Sequence, residues 1–390
     1  MSIATIIACN NSKQYYLYGK FKNGASQSNA LTGLAEKLRT SGSSITHTYT
    51  VWPGFAAILK GDTLDYVRRM PEIESVEQDS ILSLLEHEVV APDSVPPAIA
   101  EYHDTLVARG DNSYGQGVTV YGIDTGIYID HECFGGRASF GADFTGEGEN
   151  DQNGHGTHTA ATAVCNLYGI ATGAEVKAVK GQSVASSRSG RVLKQREKFS
   201  IQLDPALFLG SSLEWTGHSR ISNKATSQPS RLCLLGHTIH YSNKRLSNKR
   251  LKKAIEYGLH FTIAAGNDGM DAIMTSPARV KEANTIGAVD SNKGNEQASF
   301  SNHGRLIDVW APGANIKSAW IGSPNAENTI SGTSMATPYV AGILALALGE
   351  YGQMSPADLT AELKKHATPE VKLLATGTAT GSANLLAQKW

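Results

Sequence analysis

The feature that most constrains this chain is the stretch Ser331–Gly342, reading Ser-Gly-Thr-Ser-Met-Ala-Thr-Pro-Tyr-Val-Ala-Gly, which runs on into Ile343-Leu344-Ala345-Leu346-Ala347-Leu348. A helix that is apolar on every side offers water no face, so it must lie in the interior of a sizeable domain. Small residues crowd Ser334, Gly332-Thr333 makes a tight approach, and Ser334 falls at or near the first turn of that buried helix. A helix start presents N–H groups and a positive dipole end, which suit a nucleophile whose chemistry generates an oxyanion. It is equally where an ordinary capping serine stands. The rest of the chain has to decide between the two.

The 390 residues suffice for two or three domains with cores of their own. A hydrophobic content of 41% with 18% charged residues is ordinary for a globular protein. The net charge of −1 points to no polyanionic partner, yet it hides an asymmetry. From Arg188 to Lys253 there are 14 Lys/Arg against 3 Asp/Glu, a net of +11, which leaves 21 basic and 33 acidic residues, or −12, elsewhere. Cys9, Cys133, Cys165 and Cys233 have neither metal-ligand spacing nor the density of a disulfide framework, so they specify no redox compartment. No run reaches the roughly 20 apolar residues of a membrane span. Met1–Cys9 lacks the length and basic start of a secretory signal, so the expectation is another route or an incomplete beginning.

Residues 14–79 alternate strand and helix patterns. Gln14–Phe21 reads as a strand, and Leu31, Leu34 and Leu38 give Asn29–Leu38 helical spacing. Ile45–Val51 and Phe55–Leu59 read as strands about the turn Trp52-Pro53-Gly54. Asp62 is placed to cap a helix carrying Leu64, Val67 and Met70 that ends at Pro71, and Ile73–Val76 reads as a last strand. The order β-α-β-β-α-β is that of a small ferredoxin-like α+β unit. Thr46-His47-Thr48-Tyr49, Gly54-Phe55-Ala56-Ala57 and Ile73-Glu74-Ser75-Val76-Glu77-Gln78-Asp79 resemble the propeptide inhibitor domain of subtilases. That resemblance implies a folding aid that occupies the active site until it is cleaved. A free-standing binding module is the other reading of the same residues. Pro92, Pro96 and Pro97 mark the residues that follow as a linker, and a cut is expected between His87 and His103.

Val118–Ile123 is a short apolar strand leading into Asp124-Thr125-Gly126. A carboxylate at the C-terminal end of a strand in an α/β domain stands where sites form. Asn153-Gly-His155-Gly-Thr-His158-Thr-Ala-Ala161 follows. Two histidines three apart could ligate a metal, but no third ligand or adjacent Glu supports zinc. The flanking Gly154 and Gly156 instead leave His155 approachable from both sides, as a general base requires, with His158 structural. Glu175–Val179 reads as a strand, and Phe261–Asn267 as another that ends on a glycine-flanked amide. An Asn there is commonly a turn residue, and beside a nucleophile it can donate to an oxyanion.

Acid, histidine and serine thus stand in the order Asp124, His155, Ser334, the order of the subtilisins. Asp-Thr-Gly, Gly-His-Gly-Thr-His, Ala-Ala-Gly-Asn and Gly-Thr-Ser-Met-Ala-Thr-Pro together resemble the subtilisin-like serine proteases. Gly115-Gln-Gly117 and Ser299-Phe-Ser-Asn-His-Gly304 are similar to the proteinase K branch. The resemblance implies a three-layer α/β domain with a central, mostly parallel sheet over residues 117–390, after a propeptide domain (1–80) and a processing region (81–116). It implies a zymogen of a serine endopeptidase. It implies Ser334 as the nucleophile, His155 as the base, Asp124 as its partner, and Asn267 with the Ser334 N–H as the oxyanion donors. It implies no required cofactor, a structural calcium at Asp290, protein substrates and the chain's own propeptide as partners, no nucleic acid or membrane, a monomer, and an extracellular location.

Residues 181–250 break the resemblance. A glycine-rich substrate strand and a Ser-Leu-Gly-Gly strand end are expected there. Gln182-Ser-Val-Ala-Ser-Ser-Arg188 and Lys194-Gln-Arg-Glu-Lys198 stand instead, and Ser242-Asn-Lys-Arg-Leu246 repeats at once as Ser247-Asn-Lys-Arg-Leu251. A surface insertion and a nucleic-acid patch are two readings. The abrupt edges at Lys180 and Lys252 favour a third, sequence from a shifted frame or unspliced segment. The expectation is a sheet short of one or two central strands unless this stretch supplies them, with only Leu235-Gly236 as a remnant. The alternative function is a catalytically silent pseudoprotease that acts through its inhibitor-like module.

Overall fold

The computed structural model describes residues 14–22, 25–49, 53–78, 114–181, 230–235, 239–240 and 245–390. These residues form two compact units. Most of the expected processing region, including the 87–103 window, lies outside the described residues, as do Met1–Cys9 and 182–229.

The first unit runs β1 (Gln14–Phe21), α1 (Gln27–Arg39), β2 (Ser44–Tyr49), β3 (Gly54–Lys60), α2 (Thr63–Arg69) and β4 (Ile73–Gln78). Its antiparallel sheet has the order β2-β3-β1-β4, the ferredoxin-like arrangement expected from the alternation. Phe55, Ala57 and Leu59 point to one face of β3 and meet Leu34 and Leu38 from one face of α1. Helix α1 starts two residues earlier than its leucines suggest, because Ser26 caps it and accepts from the Asn29 N–H at 3.5 Å. Asp62 stands at the N-cap of α2 but makes no side-chain cap bond. Thr63 closes the turn in its place: Oγ1 donates to the Lys60 carbonyl at 2.5 Å and lies 3.1 Å from the Lys60 N–H.

The second unit contains β5 (Val118–Asp124), β6 (Ala138–Asp143), α3 (His155–Val164), β7 (Glu175–Lys180), β8 (Ser230–Leu235), α4 (Arg245–Glu256), β9 (His260–Ala264), β10 (Asn284–Asp290), β11 (Val309–Pro312), β12 (Ile316–Ala319), β13 (Glu327–Ile330), α5 (Thr333–Tyr351) and α6 (Pro356–His366). Strands β6-β7-β5-β8-β9-β10-β11 pair in that order and all in parallel, and Glu296–Gln297 adds an antiparallel pairing at the end of β10. Every residue of β5 is buried, as expected of a parallel strand covered on both faces. Ile286, Ala288, Val309 and Ala311 join α3 and α5 in one core, while the alternate residues Val289 and Trp310 join Val371 and Leu386 in a second. Helix α5 is buried without a break from Thr333 to Ala345, packing on α3 and on β5, β8, β9, β10 and β11. Its apolar circumference is what that position demands.

The expected gap in the sheet is filled. Strand β8 comes from the atypical stretch and lies between β5 and β9, in register from Val118↔Ser230 to Ile123↔Leu235 on one side and from His260↔Leu232 to Ile263↔Leu235 on the other. Of the expected remnant, Leu235 ends this strand and Gly236 lies outside the described residues. Unpaired backbone on both flanks makes any apolar run of suitable length a partner there. The second copy of the repeated pentapeptide is helical within α4, whose Leu251 and Ala254 are buried. A disulfide joins Cys133 to Cys165, 32 residues apart with Cα atoms 5.2 Å apart, and ties the turn 132–134 to the C-terminal end of α3. Cysteine spacing carries no signal of it.

Candidate active site

Four chain segments deliver the expected site residues. Asp124 ends β5, His155 opens α3, Asn267 follows β9, and Ser334 stands in the first turn of α5. The two strand-borne positions, Asp124 and Asn267, lie at or just past the carboxyl ends of parallel strands, where open α/β sheets build their sites.

Asp124 and His155 meet directly. His155 Nδ1 lies 2.9 Å from both carboxylate oxygens of Asp124, which is buried to 1% exposure. The carboxylate also accepts from the Thr125 N–H at 2.6 Å and from Thr159 Oγ1 at 3.0 Å. Engagement of Nδ1 leaves Nε2 as the ring's working nitrogen. Thr159 was not found from sequence, although its place one turn after His155 on the same helix face is a signal that could have found it.

The two glycines beside His155 serve a different end from the one expected of them. A Cβ on Gly156 would lie 2.1 Å from the Gly126 carbonyl oxygen and 3.1 Å from Asp124 Cβ. A Cβ on Gly154, whose φ is +106°, would meet the Trp320 ring at 2.4 Å. The space they leave is filled, by the end of β5 and by an indole, so they permit close packing rather than open access. His158 is structural: its Nε2–H donates to the Ile316 carbonyl at 2.9 Å, and burial, with His155 nearby, pushes its pKa down to about 3.

Asn267 is aimed by Thr333. Its Oδ1 accepts from the Thr333 N–H at 2.8 Å and from Thr333 Oγ1 at 2.8 Å, while that hydroxyl accepts from the Gly266 N–H at 3.1 Å. With the oxygen so held, Nδ2 faces Gly332. A Cβ on Gly332 would stand 3.2 Å from Asn267 Nδ2 and 3.6 Å from the Ser334 nitrogen. Two donors therefore flank one small volume beside Ser334, which suits them to an oxyanion. The sequence placed Thr333 in the tight approach to Ser334 but gave no sign that it holds Asn267.

Asp290 does not fit a calcium ion. Its carboxylate accepts from the Asn292 N–H at 3.1 Å as the cap of the turn 291–293 and lies 3.7 Å from Lys293 Nζ. Calcium needs six to eight oxygens, and among the described residues no three His, Cys, Asp or Glu side chains converge.

Comparison with known proteins accords with this geometry. Residues 115–386 match the Subtilase family of peptidases, and residues 20–85 match Peptidase inhibitor I9. A subtilisin-like serine protease of Davidiella tassiana is 36% identical over 368 residues, covering 87% of this chain and 67% of that protein. Alkaline protease 1 of Emericella nidulans is 34% identical over 357 residues, with 91% and 82% covered. Subtilisin-like protease 2 of Pseudogymnoascus destructans is 40% identical over 265 residues, with 66% and 59% covered. The chain thus spans between 59% and 82% of the length of these three relatives. The crystal structure of a cold adapted subtilisin-like serine proteinase superposes with a TM-score of 0.56 at 30% identity, covering 80% of this chain and 100% of that one.

Proposed function

This chain belongs to the subtilase family, and on that premise we propose that it cleaves internal peptide bonds with Ser334 as nucleophile. Ser334 Oγ attacks the scissile carbonyl, and His155 Nε2 takes its proton and returns it to the leaving amine. Asp124 fixes the imidazole tautomer and stabilises its cation. The Asn267 side chain and the Ser334 N–H hold the oxyanion, and water then hydrolyses the acyl-enzyme. The observation that carries the reading is the buried contact of His155 Nδ1 with Asp124 at 2.9 Å, at the carboxyl end of β5. No cofactor enters these steps, and calcium at Asp290 forms no part of the reading.

Residues 1–80 act as the inhibitor domain, 81–116 as the processing region and 117–390 as the peptidase; the inhibitor-family match over 20–85 supports the first of these. The enzyme works as a monomer on proteins and peptides outside the cell. The Cys133–Cys165 disulfide supports an oxidising compartment. Among the described residues no helix is long and apolar enough to cross a membrane.

A fluorophosphonate probe followed by mass spectrometry tests the reading. The expected result is a label on Ser334 that is lost in Ser334→Ala. A properly folded 41.5 kDa chain that stays unlabelled and uncleaved would overturn it in favour of the silent pseudoprotease.

A further inference from the structure

We propose that Asp151, a carboxylate outside the triad, is a positioning residue for this reaction: it locks the strand end that carries Asp124 to the helix start that carries His155. The proposal rests on the catalytic reading of those two residues.

Asp151 is buried to 7% exposure, and five donors converge on it. Oδ1 accepts from Thr125 Oγ1 at 2.9 Å, from the Asn153 N–H at 2.9 Å and from the Gly154 N–H at 3.0 Å. Oδ2 accepts from the Thr157 N–H at 2.9 Å and from Thr157 Oγ1 at 2.6 Å. Both hydroxyls then pass the connection back across the gap. Thr125 Oγ1 accepts from the Gly156 N–H at 2.9 Å, and Thr157 Oγ1 accepts from the Tyr128 N–H at 2.9 Å. The segment 125–128, which follows Asp124, and the segment 153–157, which contains His155, are thereby joined at both ends through one side chain. The backbones close up as well, since a Cβ on Gly126 would lie 3.1 Å from the Asp151 nitrogen.

The charge is matched to its place. Hydrogen bonds to a carboxylate are about twice as strong as neutral ones, and the positive end of α3 favours an anion there. A neutral amide of the same shape cannot substitute. Whichever way an Asn turned, its NH2 would face backbone N–H groups, those of Asn153 and Gly154 on one side or that of Thr157 on the other. Hydroxyls can rotate to accept, but backbone amides cannot. Asp151→Asn therefore loosens one side of the lock while leaving the side chains of Asp124, His155 and Ser334 chemically intact.

The test is steady-state kinetics of the whole chain after maturation, with active sites counted by fluorophosphonate titration. Asp151→Asn is expected to lower kcat about 100-fold per active site, with KM within about twofold, because a misplacement of about 1 Å at a reacting group costs that much. Thr125→Ser, which keeps the hydroxyl, is expected to restore parent-like kcat, and Thr125→Val to lose about tenfold. Asp308→Asn serves as the stability control. Asp308 is another buried carboxylate of this unit, and it holds the Thr285 N–H at 2.8 Å and Lys364 at 2.5 Å. It is expected to lower the melting temperature without lowering kcat. If Asp151→Asn fails to mature, Thr125→Val and Thr157→Val carry the test, and parent-like kcat in both overturns the proposal. An equal kcat loss in Asp151→Asn and Asp308→Asn overturns it too. An unlabelled parent chain would instead reject the catalytic reading itself, so the two failures are distinct.

Discussion

Helices α3 and α5 each carry a residue of the proposed triad in the first turn, α3 is buried throughout and α5 from Thr333 to Ala345, and they pack against each other. Their first turns are nevertheless built in contrasting ways. In α3 the N–H of His155 goes to Asn153 Oδ1 at 3.0 Å, that of Gly156 to Thr125 Oγ1 at 2.9 Å and that of Thr157 to Asp151 Oδ2 at 2.9 Å. Side-chain acceptors from the protein itself fill that helix start. In α5 the cap is Gly332, which brings no side chain, and the volume where its Cβ would stand is flanked by Asn267 Nδ2 and the Ser334 nitrogen. On the proposed reading, the first arrangement holds the base. In the second, Asn267 Oδ1 holds the Thr333 N–H at 2.8 Å, and the Asn267 Nδ2 and Ser334 N–H beside Gly332 are the proposed oxyanion donors. A helix N-terminus serves either end, according to what stands over it.

Asn267→Ala strikes the α5 side hardest. It removes an oxyanion donor together with the acceptor that holds Thr333, and kcat should fall about 10²–10³-fold with KM little changed, a magnitude established on a subtilisin and carried over here. A loss confined to KM would break the contrast, because Asn267 would then bind substrate and transition state alike.

Acid should act through two buried histidines, His158 on α3 and His260 on β9. An unfolded histidine titrates near 6.5, whereas folded His158 is held down to about 3 and His260 to about 4, both chiefly by burial. Between those values the unfolded chain binds the extra protons. Stability is therefore intact above about pH 6.5 and drains as pH falls, by about 1.4 kcal/mol per pH unit for each histidine. The buried titratable group of α5 works at the other end: burial raises Tyr339 from 10.0 to about 12, so its contribution is lost only as pH rises past about 10. Urea unfolding of Ser334→Ala, which cannot digest itself, measures both limbs. A flat profile from neutral pH down to about pH 4 would show His158 and His260 to be charged in the fold.

Gly332→Ala sharpens the same contrast. Its Cβ would crowd Asn267 Nδ2 at 3.2 Å, and an expected kcat loss of about tenfold with unchanged melting temperature marks that space as reserved for substrate. Asn153→Ala is the smallest change. Loss of the bond to the His155 N–H should cost about 1 kcal/mol of stability and only a few-fold in kcat, read by thermal unfolding beside activity.

Much of this was legible in the sequence. Period-two and i, i+4 spacing were enough for the first unit, because its core is made from near neighbours such as Leu34 and Leu38 on α1 and Phe55 to Leu59 on β3. Asp124, His155, Asn267 and Ser334 were legible as candidates because residue type, small neighbours and the resemblance of their motifs are all local to the sequence. Thr159, Thr333 and Asp151 were not. A hydroxyl or carboxylate on a turn looks the same whether it meets water or another loop, and their partners lie 35, 66 and 26 residues away along the chain. The access to His155 expected from Gly154 and Gly156 was not what the glycines provide, for a related reason, since the indole and carbonyl beside them come from Trp320 and Gly126.

Strand β8 draws the line most clearly. Apart from the Leu235-Gly236 remnant, the sequence did not assign residues 230–235 to the middle of a sheet, yet their backbone pairs with β5 and β9 on both sides. The sequence alone determined which residues can do chemistry and that a helix apolar on all sides must be buried, because residue type and periodicity are local properties. Only the tertiary structure decided which donor meets which acceptor and which run completes the sheet. Hydrogen bonds are settled within a few tenths of an ångström, and those distances arise between segments that only folding brings together.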